Sequence, residues 1–223
     1  MAHLSGWGGM LRAGRRVARR AGRMIAHSAK AGMSLTKAAG TRVTPAARPA
    51  DGFGSNPGGL DMRLYAPPRL PAGRPLVVVL HGCGQDAGDF AKSAGWMALA
   101  DTLKLALVLP QQRAANNRGR CFNWFRPEDV RRGGGEAMSI RQMLRHAAVR
   151  FGSDRKRVYV VGFSAGGAMA AALLAAYPAV FAAGAVVAGM PVGSARTLAG
   201  AVLHMRRADT GQSRAQLAEA VRR

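Results

Sequence analysis

From residue 76 onward, short unbroken apolar runs alternate with stretches of helical periodicity. Leu76–Leu80, Ala106–Leu109, Val158–Val161 and Ala183–Ala188 are continuous and rich in Val, Leu and Ala, the pattern of strands covered on both faces. Between them lie helical patterns at 88–103, 136–151 and 165–176. In the second of these, Ile140, Met143, Leu144, Ala147 and Phe151 form one apolar stripe, as an amphipathic helix requires. Upstream, residues 60–65 alternate like a half-buried strand, and Pro67, Pro68 and Pro71 stop it. Downstream, 195–207 and 212–222 read as helices. Strands alternating with helices imply right-handed crossovers and a mostly parallel sheet with helices on both faces, so the expected fold class is α/β.

Residues 40–60 are rich in Pro, Gly and small polar residues and read as linker or loop. The expected organisation is therefore a basic N-terminal extension over 1–50, with an amphipathic helix and linker, and an α/β domain over 51–223. Within the extension, Met10, Val17, Ala21, Met24 and Ile25 recur at helical spacing among Arg12, Arg15, Arg16, Arg19, Arg20 and Arg23. This basic amphipathic pattern over 10–27 fits a solvated or self-docked helix, an anionic surface such as a membrane or granule, or nucleic acid. Nucleic acid is the weakest of the three, because no aromatic residues are interleaved and no recognition motif is present.

The chain of 223 residues carries a net charge of +22, with 33 Lys and Arg against 11 Asp and Glu. Ten of the basic residues and none of the acids lie in residues 1–50. Most of the basic residues are Arg set among Ala and Gly, which suits a compositional bias and carries little functional information. Hydrophobic residues make up 48%, enough to bury a core, which excludes wholesale disorder. No run approaches the length of a membrane-spanning helix. Two cysteines are too few for a disulfide-built scaffold or a structural zinc cluster, and no metal or cofactor is expected.

Val158–Val161 runs directly into Gly162-Phe163-Ser164-Ala165-Gly166-Gly167 and then into an Ala-, Met- and Leu-rich helix. G-x-S-x-G between a strand and a helix is the sharp turn that lifts a nucleophilic serine, here Ser164, above a sheet. The free N–H groups and partial positive charge at the following helix N-terminus favour an anion forming beside it. A second strand, Leu76–Leu80, ends in His81-Gly82-Cys83-Gly84-Gln85. A His-Gly at this point is common in α/β-hydrolases, where the next N–H points into the site. The backbone N–H groups of Cys83 and Ala165 are thus the expected oxyanion-hole donors, and the side chain of His81 is expected to pack or hydrogen-bond instead of acting as a base.

The segments HGCGQ (81–85), RCFNWFRPED (120–129), GFSAGGAMA (162–170) and YPAVFAA (177–183), in this order, resemble the polyhydroxybutyrate (PHB) depolymerase family of esterases. These are α/β-hydrolases related to feruloyl and acetylxylan esterases, and the resemblance spans 58–208. It implies a serine esterase acting on short acyl or 3-hydroxyacyl esters, small or polymeric, through an acyl-enzyme on Ser164. It also implies that Trp124 and Phe125 lie near the site mouth and offer apolar surface to the acyl chain, although both fit equally well as core aromatics. Cys83 and Cys121 fall in motifs that the family brings together at the site rim, which implies a disulfide in an oxidising compartment. The resemblance points to an extracellular protein, whereas the N-terminus lacks the pattern of a secretory signal and leaves a cytoplasmic location open.

The order Ser, acid, His that the fold requires is not met after Ser164. There the acids are Asp209 and Glu219, and His204 precedes both. His146 lies beside a helical stripe, and His3 and His27 sit in the basic extension. The family pattern puts the acid-bearing strand just past residue 223. A chain shortened at its C-terminus and lacking the last strands is the resulting expectation. Ala183–Ala188 would then be an exposed, uncharged edge strand. The alternative expectation is a non-catalytic α/β-hydrolase-like protein that binds an anionic surface or polymer through residues 10–27.

Overall fold

A computed structural model describes residues 46–207 and 209–222. The expected basic helix over 10–27, with His3 and His27, lies outside the described residues.

Six strands form one sheet: β1 (Arg48–Ala50), β2 (Asp61–Tyr65), β3 (Leu76–Leu80), β4 (Ala106–Gln111), β5 (Val158–Phe163) and β6 (Ala183–Val187). Their order across the sheet is β1-β2-β4-β3-β5-β6. β1, β2 and β4 pair antiparallel, while β4, β3, β5 and β6 run parallel. The parallel part is the expected α/β architecture. The short strand β1 corrects the linker reading of 40–60: Arg48, Pro49 and Ala50 pair with Leu64, Arg63 and Met62. A three-residue edge strand containing a proline carries no periodic signal, and only its partner defines it.

The helices are α1 (Ala87–Ser93), α2 (Trp96–Leu103), α3 (Pro127–Val130), α4 (Gly135–Phe151), α5 (Ala165–Ala176), α6 (Leu198–Arg207) and α7 (Arg214–Arg222). The pattern at 88–103 is two helices instead of one. Gly95 adopts φ +79, a left-handed conformation that separates α1 from α2. Asp86 caps α1 by accepting from the backbone of Gly88 and Asp89.

The sheet separates two apolar layers by simple alternation. Leu76, Val78 and Leu80 face one side, where Ile140, Met143 and Leu144 of α4 meet Met169, Ala170 and Leu173 of α5. Val77, Val79, Leu107 and Leu109 face the other, against Ala87, Ala91, Met97 and Ala100. Strands with both faces buried read as continuous apolar runs, so the strand pattern was visible in the sequence.

β6 is different. It forms the sheet edge next to β5, and all five of its residues are exposed. Val186 is 44% exposed and Val187 is similar. An uncharged, apolar edge strand is a template for pairing with another chain. We therefore expect the protein to self-associate as its concentration rises. Val186→Lys shifts it toward monomer in light scattering; an unchanged mass distribution would count against pairing through this edge.

Candidate active site

The turn after β5 is tightly constrained. Ser164 sits at φ 55, ψ −119, a sparsely populated region that costs on the order of 1–3 kcal/mol and persists only when its surroundings impose it. Those surroundings are backbone. A Cβ on Gly162 would lie 1.9 Å from the Gly166 carbonyl oxygen, and one on Gly166 would lie 2.4 Å from the Leu80 oxygen and 2.5 Å from that of His81. The first turn of α5 is thus pressed against the end of β3, with no room for a side chain between them. The Ser164 N–H donates to Val187 O at 2.9 Å, so the end of β6 holds the turn from the other side.

This contact brings the two expected donor segments together. Among the described residues the N–H groups of Cys83 and Ala165 donate no hydrogen bond, and Ala165 is the first residue of α5. Ser164 Oγ likewise has no partner among the described residues. An unpartnered hydroxyl at a helix N-terminus is placed where free N–H groups and partial positive charge favour a developing anion.

The Cys83 turn is held in place by several bonds. Cys83 and Cys121, 38 positions apart in sequence, form a disulfide with Cα atoms 4.2 Å apart. Alongside it, Gly84 N–H donates to Gly119 O at 2.8 Å, and Arg120 Nη2 donates to Gly84 O at 2.7 Å. His81 is fully buried. Its Nδ1 lies 2.7 Å from Gly82 O, while its Nε2 accepts from Gln112 N–H at 3.2 Å. That pairing defines the neutral Nδ1–H tautomer, and burial holds the imidazole below its ordinary pKa. With both nitrogens engaged, His81 is a structural group.

No described histidine is bonded to Ser164. His146 Nε2 is buried on α4 with no partner, and His204 Nδ1 lies 2.8 Å from the Asp209 backbone oxygen, exposed on α6. His204 and Asp209 therefore meet through a backbone carbonyl, and not through the carboxylate that a catalytic relay needs. Trp124 is 6% exposed and packs edge-on to Phe125, with ring centroids 5.8 Å apart. It belongs to the main core, so its position follows the core reading and not an open wall of the site. Phe163, immediately before the serine, is instead 40% exposed and stacks on Phe90 at 6.2 Å.

A buried polar cluster that the sequence patterns do not reveal underlies the site. Glu136, in the first turn of α4, is fully buried. Its Oε1 accepts from Gln112 Nε2 at 2.5 Å and its Oε2 from Asn123 N–H at 2.9 Å. Gln112 also bonds Cys121 O and, through its own N–H, His81. Burial pushes the Glu136 carboxyl up to about 8, aided by nearby Asp129, against the lowering effect of its hydrogen bonds. Asp129 is raised too, again chiefly by burial. A lone glutamate at a helix start resembles an ordinary first-turn acid; only the packing of three segments over it makes it internal.

Comparison with known proteins matches residues 60–222 to the family described as "Esterase PHB depolymerase". The chain is 47% identical over 149 residues to poly(3-hydroxyalkanoate) depolymerase C of Paucimonas lemoignei, covering 67% of this chain and 36% of that protein. It is 35% identical over 144 residues to feruloyl esterase B of Thermothelomyces thermophilus, covering 64% of this chain and 48% of that one. The chain thus spans between a third and a half of the length of these relatives. Among solved structures, the acetyl xylan esterase from Aspergillus awamori superposes with a TM-score of 0.65 at 25% identity, covering 70% of this chain and 56% of that one. The sheet with its flanking helices is the α/β-hydrolase fold.

Gly166→Ala is expected to lose about 3 kcal/mol or more of stability in urea denaturation, because its methyl group meets unyielding backbone oxygens. Glu136 makes the native state hold a proton that the unfolded chain releases above its ordinary pKa of 4.5. Its contribution is therefore complete below pH 4.5 and is lost as pH rises toward about 8. In Glu136→Gln, which cannot titrate, the fall in thermal midpoint across that window should flatten; an unchanged slope would assign the titration to another group.

Proposed function

The chain belongs to the esterase PHB depolymerase family, and from that premise we propose that it is a serine esterase in which Ser164 attacks the carbonyl carbon of a carboxylic ester. The observation that carries this reading is the strained Ser164, its hydroxyl unpartnered at the start of a helix whose first turn abuts the end of β3; the free N–H groups of Cys83 and Ala165 are the donors assigned to the oxyanion. The serine gives up its proton and bonds to the carbonyl carbon. The two N–H groups receive the oxyanion, the ester C–O bond breaks, and the alcohol leaves with a proton. Water then adds to the acyl-enzyme, releases the carboxylic acid and returns the proton to Ser164. The base that moves these protons is not assembled on Ser164 among the described residues, so His81, with both nitrogens engaged, is not proposed for it.

The names of the relatives, a polyhydroxyalkanoate depolymerase and a feruloyl esterase, support two acyl classes: 3-hydroxyacyl and aromatic. The exposed Phe163 next to the serine, stacked on the half-buried Phe90, supports an apolar acyl group in either case. The Cys83–Cys121 disulfide supports an oxidising, extracellular setting. No described helix is long and apolar enough to cross a membrane.

Hydrolysis of p-nitrophenyl butyrate is expected to fall on the order of a thousandfold or more in Ser164→Ala. Equal turnover by wild type and variant would refute the nucleophile assignment. Absence of turnover in a folded wild type would favour the non-catalytic, surface-binding alternative. Reducing the disulfide should lower stability by about 3–4 kcal/mol, the value for a loop of this length, read as a fall in thermal midpoint on adding dithiothreitol.

A further inference from the structure

At the opposite end of β5 from Ser164 lies a groove of about 430 Å³. Three guanidiniums, Arg141, Arg145 and Arg155, stand around an apolar floor that includes Leu144, Val158 and Val180. Arg141 and Arg145 are one turn apart on the same face of α4, a like-charge pair that weakens a helix unless an anion lies between them.

None of the three guanidiniums has a hydrogen bond or ion pair among the described residues. Nor can the rest of the chain supply a side-chain carboxylate, because all 11 acidic residues lie within the described part. Asp154, adjacent to Arg155 in sequence, is already engaged: Arg157 Nε and the Lys156 N–H each donate to it at 2.9 Å. Three uncompensated cations therefore share one concave, half-apolar site. Guanidiniums match a carboxylate by paired N–H donors, while the floor of Leu, Val and Ala side chains gains from covering by hydrocarbon. A bare inorganic anion would satisfy the rim and leave the floor wet.

We propose that this groove binds an alkyl carboxylate, with its head group on the three arginines and its chain on the apolar floor. The site is separate from Ser164, and the proposal does not depend on the esterase reading. The test is calorimetric titration of the full chain with sodium octanoate, with inorganic phosphate and 1-octanol as comparison ligands. Octanoate should bind more tightly than either, and Arg141→Gln/Arg145→Gln should weaken it about tenfold or more, as expected for loss of charged hydrogen bonds. Ser164→Ala should leave it unchanged. Octanoate affinity unaffected by the double substitution, or phosphate or octanol binding as tightly as octanoate, would overturn the proposal. Arg145 is exposed and Arg141 half-buried, and circular dichroism of the variant verifies that its fold is intact.

Discussion

Everything at the candidate site depends on one contact between backbones: the first turn of α5 against the C-terminal end of β3. Gly162 and Gly166 allow the chain to reverse within van der Waals distance of the Leu80 and His81 carbonyls, where any Cβ would collide. The positive φ of Ser164 follows from that closeness. Close backbone approach is a use of glycine that no interaction between side chains can replace. The conformational cost at Ser164 is offset by the apolar layer on α5, whose Met169, Ala170 and Leu173 are buried against β3 and α4.

Beneath this contact, polar groups carry out what apolar packing cannot. Loops around a site expose backbone N–H and C=O groups that must find partners when buried. His81, Gln112, Asn123 and Glu136 supply them in one connected set running from the β3 turn to α4. The disulfide between Cys83 and Cys121 adds a covalent tie between the same two loops. The two devices have different sensitivities: one responds to pH through a raised carboxyl pKa, the other to redox conditions. Burial of Glu136 thus links stability to the same loops that the Cys83–Cys121 disulfide joins.

Charge is distributed by a different logic from the site. With 33 basic residues against 11 acidic ones, most arginines cannot be paired, and an unpaired surface arginine is unremarkable. What distinguishes Arg141, Arg145 and Arg155 is their convergence on an apolar concavity. The uncovered strand β6 is the apolar counterpart, a surface whose backbone donors and acceptors point outward. The groove lies at the far end of β5 from Ser164, whereas β6 reaches the Ser164 turn through Val187 O.

The α/β class, the parallel strands, α4 and α5 were legible because a strand buried on both faces must be apolar throughout and a half-buried helix must carry a stripe. The sharp turn at Ser164 was legible because glycine spacing around a strand end is itself a steric statement. Other features had no local signature. β1 exists through its pairing with Arg63 and its neighbours, and the break at Gly95 appears only as a backbone angle. Trp124 could have faced solvent or core, and its neighbours chose the core. Glu136 reads as a solvated first-turn acid until Gln112, Asn123 and Asp129 close over it. The arginine groove likewise joins residues from a helix and from the turn before a strand. Periodicity and glycine spacing are properties of neighbours along the chain, and the sequence by itself determines what depends on them. Burial of a charge and convergence of distant side chains depend on which segments meet, and only the tertiary structure decides that.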